Sequence, residues 1–321
     1  MQNLAYPLLC LLLAVCQTQP DKASNLPREY ILDELDLVPE GIAYSQQTDA
    51  FYLTSVSKSK IVKVDRVSGQ QEDFIGEHGS GYMPGVGIYV EEEKNLLHAI
   101  GGYYLTDDSL TSVFTYDLNT RKLVRRLDVT DSGKHFLNDM IMDRVGNMYF
   151  TDSKDSSVYI ARSGKNRLEK FFKSPEIVFP NGIAISDDNS MLYVASMPKG
   201  VRILDIKTKT ILNEADTLEQ SQGIDGLEFH KGHLYGIQNG IMANSFNFRK
   251  LILNEAKDAI VDIEIIDSHN PELDVPLTFC LVNEQAVVIG NSNLQHLDQV
   301  TFEFNSNGQA AKTKLLVYEL N

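Results

Sequence analysis

Residues 137–152 read LNDMIMDRVGNMYFTD: a short apolar run that carries two polar residues, a turn at Gly146, and a second apolar run. The same layout recurs in three other stretches, 39–54 (PEGIAYSQQTDAFYLT), 180–194 (PNGIAISDDNSMLYV) and 224–236 (IDGLEFHKGHLYG). Short runs of this kind, bounded by turn residues, predict β-strands joined by hairpins. Two weaker copies begin near Pro84 and Pro276.

Six copies at a spacing of roughly 43 to 53 residues predict an all-β fold, a six-bladed β-propeller with four-stranded antiparallel blades. We expect residues 30–35 to pair with residues 315–318 and close the ring, because an open ring would leave exposed sheet edges. The predicted third strands include residues 244–248 in the fifth copy and 300–304 in the sixth. Residues 251–259 form the one weak candidate for a helix, and residues 29–321 are expected to form a single domain.

The composition excludes several classes of protein. The 321 residues include 29 Lys+Arg and 44 Asp+Glu, which gives a net charge of −15. Binding to nucleic acid or to an anionic membrane requires a basic surface, so we expect neither partner. With 43% hydrophobic residues the chain is globular rather than disordered.

The N-terminus resembles a secretory leader. Residues 8–15 (LLCLLLAV) are apolar but too short to cross a bilayer, and the later sequence contains no membrane-spanning stretch. We expect residues 1–16 to be a signal peptide, 17–28 a polar linker, and the protein to be periplasmic or secreted. Cleavage after Cys16 and a lipid anchor on Cys16 are both open, and the mass of the mature N-terminus distinguishes them. Cys280 lies in an apolar run, which predicts a buried structural thiol.

Four copies place an oxygen-bearing side chain at the start of the predicted inner strand: Glu40, Asn138, Asn181 and Asp225. In a propeller these positions meet at one mouth of the central channel. Two carboxylates and two amide oxygens, without sulfur or imidazole, form a donor set for a hard cation. The set favours Ca²⁺, with Mg²⁺, Mn²⁺ or Zn²⁺ as alternatives. The competing interpretation is that these residues only cap turns.

The motifs PEGIAY (39–44), LNDM with DRVGNMYFTD (137–152), PNGIAIS (180–186) and GIDGL (223–227) resemble those of the gluconolactonase/regucalcin-like family. Paraoxonases and squid-type diisopropyl-fluorophosphatases are more distantly similar. The resemblance implies that Glu40, Asn138, Asn181 and Asp225 hold a catalytic divalent cation, and that the substrate is a small lactone or ester. It also implies that Asp225 activates the attacking water, while direct nucleophilic attack by Asp225 remains open.

One departure from the family concerns the substrate. Sugar-lactone members carry an Arg two residues before the first channel Asn, and this chain has Phe136 there, which favours a less polar lactone or ester. Asp139 and Asp152 are expected to be hydrogen-bonded structural residues, and a proton-shuttle role for His135 is an alternative.

Two further functions stay open at this point. One is a non-catalytic propeller that binds a ligand or a protein around a structural cation. The other is a propeller similar to strictosidine synthase, which condenses an amine with an aldehyde without a metal. A Gly-x-Ser-x-Gly nucleophile elbow does not occur in the sequence, which argues against a serine hydrolase. The oligomeric state is not predicted.

Overall fold

Six antiparallel sheets of four strands each surround a central channel in a computed structural model of the protein. The structure describes residues 26–103, 110–216, 220–240, 246–298 and 300–320. Each inner strand contacts the inner strand of the next blade, and the sixth contacts the first, so the sheets form a closed ring. The predicted six-bladed propeller is therefore confirmed. The proposed leader and Cys16 lie outside the described residues and stay predictions.

Each blade is built from consecutive strands, counted outward from the channel. The first three blades contain β2 to β13: Pro39–Ser45, Ala50–Ser55, Lys60–Asp65 and Gln71–Ile75; Gly85–Glu91, Leu96–Gly102, Thr111–Asp117 and Leu123–Asp128; Leu137–Met142, Met148–Asp152, Ser157–Ala161 and Glu169–Lys173. The next two contain β14 to β21: Pro180–Ile185, Met191–Ser196, Gly200–Asp205 and Thr210–Ile211; Ile224–His230, His233–Gln238, Asn247–Leu253 and Ile260–Ser268. The sixth contains β22 to β24 and then β1: Phe279–Val282, Gln285–Ile289, Lys314–Glu319 and Glu29–Ile31.

Strands from near both ends of the described residues close the ring of blades within the sixth blade. Strand β1 pairs antiparallel with β24, with Tyr30 opposite Leu315. The Tyr30 ring packs edge-on against Phe51 of the first blade, and its hydroxyl donates to the carbonyl of Arg66 at 2.9 Å. The predicted closure is confirmed, and Tyr30 also joins the closing strand to the neighbouring blade.

Three predicted elements differ from the structure. The third strand of the fifth blade is Asn247–Leu253 rather than residues 244–248, of which 244 and 245 lie outside the described residues. The third strand of the sixth blade is Lys314–Glu319, not residues 300–304, which belong to an insertion between β23 and β24. In that insertion Phe302 is buried against Val38 and Val56, so its apolar character reflects packing onto the mouth of the channel. The weak helix candidate at 251–259 is instead the end of β20, which runs from Asn247 to Leu253, followed by a turn.

The hydrophobic core lies between the blades. Adjacent sheets cover both faces of the second strands, so β3 (Ala50–Ser55) is buried along its whole length. One cluster joins Tyr52 of the first blade to Phe114 of the second, and another joins Phe248 of the fifth to Phe279 of the sixth. Cys280 is buried in such a cluster, as predicted.

Helical structure in the described ranges is limited to three single-turn 3₁₀ segments, Gly79–Gly81, Glu92–Lys94 and Leu294–His296. Within those ranges, no helix has the length and apolar character needed to cross a membrane.

A β-bulge interrupts each of the first five inner strands near the channel mouth, which is the end where these strands begin. The pairing with the second strand shifts register within the first few residues: between Pro39 and Ile42, Gly85 and Ile88, Leu137 and Met140, Pro180 and Ile183, and Ile224 and Leu227. A bulge re-aims the side chains beside it. It therefore governs which residues face the channel.

Neighbouring inner strands approach each other closely at these bulges. A Cβ on Gly41 would collide with the carbonyl oxygen of Val86 in the next blade, and one on Gly182 would collide with that of Asp225. Glycine is required here because the backbone of the next blade occupies the space of a side chain. These contacts align the second residues of successive inner strands around the channel.

We expect Tyr30→Ala to lower the free energy of unfolding by about 3–5 kcal/mol, because it removes a buried ring and leaves a cavity between two blades. Tyr30→Phe keeps the ring and should cost about 1 kcal/mol for the lost hydrogen bond. Urea unfolding measures both changes. Ile31→Ala, next in the same strand and 49% exposed, is the control and should change stability little. Equal losses in Tyr30→Ala and Ile31→Ala would refute the role given to Tyr30.

Candidate metal centre

The four predicted ligands converge on one cavity in the channel. Glu40, Asn138, Asn181 and Asp225 are each the second residue of an inner strand, and all four line this cavity. We call these four residues the ring. The cavity has a volume of about 30 Å³, which is room for an ion-sized or water-sized occupant rather than for a whole lactone. The structure thus brings the ring together, and its role as a ligand set stays a prediction.

The second and sixth blades contribute no carboxylate or amide at the equivalent positions. Val86 is the second residue of its inner strand and is buried in an apolar cluster. Thr278 precedes the sixth inner strand by one residue and lines the cavity with its hydroxyl-bearing side chain. The hydroxyl of Thr278 is an additional oxygen that the sequence analysis did not single out.

Two more carboxylates line the same cavity, Asp139 and Glu228. Asp139 accepts hydrogen bonds from the backbone N–H groups of Met140 (2.8 Å) and Ile183 (3.1 Å), so it is hydrogen-bonded as predicted. Glu228 was missed by the sequence analysis. It lies three residues after Asp225, and residues three apart on a regular strand face opposite sides. The bulge between Ile224 and Leu227 is what lets both acids face the channel.

Burial in the channel disfavours the charged forms of all four acids. It raises the pKa of Asp225 to about 7; there the hydrogen bond from Asn239 acts in the opposite direction, while the charge of Asp139 adds to the increase. Burial and the charge of Asp139 raise the pKa of Glu228 to about 8. Burial, followed by the charges of Asp225 and Asp139, holds the pKa of Glu40 well above its usual range.

Asp139 completes this group, because burial raises its pKa to about 6 against the two backbone hydrogen bonds. Among the described residues, no Lys, Arg or His forms an ion pair with Glu40, Asp139, Asp225 or Glu228. A concentration of carboxylates without a cationic side chain is what a bound cation would stabilise.

Hydrogen bonds around the ring leave oxygen atoms directed to the channel. The Nδ2 of Asn138 donates to Ser153 Oγ at 3.1 Å, and the hydroxyl of Ser153 donates to the carbonyl of Pro180 at 2.6 Å. Since the Ser153 proton is used by Pro180, its oxygen must accept, and the Nδ2 of Asn138 must be the donor. The Oδ1 of Asn138 is then the atom available to a ligand.

Asn239 fixes Asp225 in a similar way. Its Nδ2 donates to Asp225 Oδ2 and to the carbonyl of Pro276, both at 2.6 Å. One carboxylate oxygen of Asp225 is therefore held, which sets the direction of the other. Neither Ser153 nor Asn239 was predicted, because both act on ring residues from a different strand. Partners of this kind orient metal ligands in many proteins.

A second group of ligand-type residues, His135, Asp152 and Asp155, lies outside the residues that line the cavity. Asp152 accepts from His135 Nδ1 at 2.7 Å and from the backbone N–H of Phe136 at 3.0 Å, which confirms its structural role. Asp155 is paired with Lys170 (2.6 Å) and Lys173 (2.7 Å). Its charge is already neutralised, so this group does not fit a cation, and the geometry gives no support to His135 as a shuttle.

The donor chemistry of the ring fits a hard divalent cation. It combines carboxylate and amide oxygens in an acidic pocket that Thr278 also lines, and it contains neither sulfur nor imidazole. Fold and site together define the class: a six-bladed propeller with an acidic, oxygen-lined site at the mouth of its channel.

The chain belongs to the SMP-30/gluconolactonase/LRE-like family, whose model matches residues 38–233. This match confirms the resemblance drawn from the sequence motifs, which lie within or close to the same residues. No curated protein sequence matches the chain.

Solved structures with the same fold include three with related names. A calcium-binding regucalcin from Agrobacterium tumefaciens is 15% identical, with a TM-score of 0.59 and coverage of 91% of this chain and 93% of that one. A luciferin-regenerating enzyme is also 15% identical, with a TM-score of 0.60 and coverage of 91% and 95%. A gluconolactonase from Xanthomonas campestris is 14% identical, with a TM-score of 0.57 and coverage of 79% and 83%. At these identities the likeness establishes the fold.

Ser153→Ala should weaken divalent cation binding by roughly 10- to 100-fold, because the Asn138 amide loses the partner that orients it. Titration calorimetry of the cation-free protein with Ca²⁺ measures the change. Ser55→Ala is the matched control. Ser55 is a buried serine at the end of β3, much as Ser153 directly follows the end of β11. The hydroxyl of Ser55, however, donates to the carbonyl of Leu37 and not to a ring residue. An unchanged affinity in Ser153→Ala would contradict the orientation given to Asn138.

Without divalent cations, we expect the melting temperature to fall by several degrees between pH 5 and pH 8. Asp225 and Glu228 titrate near pH 4 when unfolded but near 7 and 8 when folded. Between those values the folded protein binds more protons, so its stability decreases as the pH rises. Ca²⁺ should restore more stability at pH 8 than at pH 5. Glu228→Gln should flatten the pH dependence in chelator, and an identical slope in that variant would contradict the assignment.

Proposed function

We propose that the protein is a hydrolase of lactones or related esters that depends on a divalent cation, with Ca²⁺ favoured. Glu40, Asn138, Asn181 and Asp225 would hold the cation. The observation that carries the proposal is the convergence of oxygen donors from four blades on one acidic cavity in which, among the described residues, no cationic side chain balances the charge. Family membership supports the same activity.

The chemistry divides between the cation and the side chains. A cation bound at the ring supplies Lewis-acid polarisation of the substrate carbonyl. Asp225 is the side chain proposed to take the proton from the attacking water, since it lines the cavity and Asn239 fixes one of its carboxylate oxygens, which sets the direction of the other. A bond forms between the water oxygen and the carbonyl carbon of the lactone, and the C–O bond between that carbon and the ester oxygen breaks. The proton held by Asp225 passes to the departing alkoxide.

The size of the cavity supports a substrate position outside the ring. A volume of about 30 Å³ cannot enclose a lactone, so only the carbonyl end would reach the ring residues. The rest of the molecule would lie at the mouth, in contact with the residues that precede the inner strands. The proposed substrate is therefore a small molecule that enters the mouth of the channel with its carbonyl end first.

The names of similar structures point in the same direction. One is called a gluconolactonase, one a luciferin-regenerating enzyme and one a calcium-binding protein. Hydrolysis and Ca²⁺ binding are properties that those names give to those proteins, and here they support the proposal without carrying it.

We also propose, from the apolar run at residues 8–15, that the protein is exported to the periplasm or secreted. A free mature N-terminus distal to Cys16 would support cleavage, whereas full-length protein retained in the cytosol would contradict export.

Asp225→Asn should lower kcat for lactone hydrolysis by at least about 100-fold, because it removes the proposed base. Initial rates on γ-butyrolactone, γ-decalactone, glucono-δ-lactone and a phenyl ester, with Ca²⁺ or with chelator, measure the effect. Asp205→Asn is the control, because Asp205 ends a third strand outside the cavity, and its carboxylate accepts from the backbone N–H of Thr208 in the following turn. Activity that survives in Asp225→Asn would refute the role of Asp225.

The same panel separates the proposal from its alternative. Turnover that stops with chelator and returns with Ca²⁺ supports the hydrolase. A chelator-induced loss of thermal stability, with no turnover on any substrate, would instead favour a non-catalytic propeller with a structural cation.

A further inference from the structure

The residues that lead into the inner strands form a second set around the mouth. In the first five blades, each of these residues directly precedes the first residue of the inner strand. In the sixth blade, the corresponding residue lies two positions before Thr278. We call this set the collar: Val38, Pro84, Phe136, Phe179, Gly223 and Pro276. None of the six has a side chain that can form a hydrogen bond. A site for a polyhydroxylated substrate needs such groups, because buried hydroxyls without partners are costly.

Two collar residues adopt the same unusual backbone conformation in different surroundings. Val38 and Phe179 both have φ of 45°, which is rare for residues other than glycine. Val38 is 0% exposed, because Leu297 and Phe302 of the sixth-blade insertion cover it. Phe179 is 44% exposed. Among the collar residues, all of which the structure describes, Phe179 is therefore the one with a solvent-exposed side chain.

The exposure of Phe179 is imposed by fixed neighbours. The backbone of Val178 is held on both its N–H (2.9 Å) and its carbonyl (3.0 Å) by the Ser196 hydroxyl. On the other side, the carbonyl of Pro180 accepts from Ser153 at 2.6 Å. A non-glycine residue held at a positive φ by its neighbours is a feature typical of functional positions.

The same hydrogen bond ties the collar to the ring. Ser153, which fixes Pro180 directly after Phe179, also orients the amide of Asn138. Asn181 follows Phe179 by two residues. In the neighbouring blade Phe136 is 7% exposed and packs in one cluster with Val86. Phe136 is therefore enclosed within the protein, and Phe179 is the aromatic collar residue that is accessible to a substrate.

We propose that Phe179 is a specificity-determining residue that contacts an apolar chain of the substrate. The preferred class is then a lactone or ester that carries an alkyl or aryl substituent, rather than a sugar lactone. This inference rests on the proposed hydrolase function. The apolar chain of the substrate would extend from the ring toward the fourth blade, because the sixth-blade insertion covers the collar residue of the first blade.

The test compares γ-butyrolactone with γ-decalactone, which adds six carbons to the same ring, and with glucono-δ-lactone. For the wild-type protein with Ca²⁺ we expect kcat/KM to be at least about tenfold higher for γ-decalactone, since each buried methylene favours binding by up to about fourfold. Phe179→Ser should raise KM for γ-decalactone by a much larger factor than KM for γ-butyrolactone. Phe179→Leu should restore most of the chain-length preference.

Val145→Ser is the matched control, because Val145 is 71% exposed on the turn at the far end of the third blade. It should keep the wild-type preference. A wild-type protein that prefers glucono-δ-lactone, or a chain-length preference that survives in Phe179→Ser, would overturn the inference.

A second readout separates this inference from the proposed function. If no lactone is turned over, the hydrolase proposal fails, and calorimetric binding of γ-decalactone decides the role of Phe179. Weaker binding to Phe179→Ser than to Val145→Ser would then support the apolar site. Equal binding, or none to either variant, would refute it.

Discussion

The inner strands of neighbouring blades lie so close at the channel mouth that one buried hydroxyl can bridge them. Thr151 Oγ1 accepts from the N–H of Asp139 at 3.0 Å and donates to the carbonyl of Asn181 at 2.7 Å, and Thr54 bridges Gly41 and Val86 in the same way. These bonds set the height of each strand relative to the next. Side chains far apart in sequence therefore meet around one axis.

This spacing has an electrostatic consequence. It encloses four carboxyl groups in one channel, where desolvation disfavours their charged forms and neighbouring carboxylates add to the effect at Glu40, Asp225 and Glu228. The backbone hydrogen bonds to Asp139 and the Asn239 amide on Asp225 offset only part of that cost. The channel is thus a place where the fold accepts lower stability, which is common at sites that bind a ligand. Protons or a cation can remove the repulsion.

The repeat made the blades and the ring predictable, because ring residues recur at one position of a periodic pattern. It could not predict Glu228, since a bulge must first change which residues face the channel. Residues 300–304 resembled a strand because their apolar side chains alternate, but Phe302 covers the mouth instead. Ser153 and Asn239 could not be predicted, because their role depends on hydrogen bonds between strands, and the residue pattern within one strand does not encode those bonds.

Two sets of residues at the mouth are constrained differently. A ring residue sits beside a bulge and against the next blade, so a change there disturbs the strand contact as well as the donor set. A collar residue precedes the bulge, and the hydrogen bonds around Phe179 involve backbone atoms of Val178 and Pro180 rather than its own side chain. The collar side chain can therefore vary while the ring keeps its geometry. The proposed cation site and the proposed substrate contact are therefore physically separable in this fold.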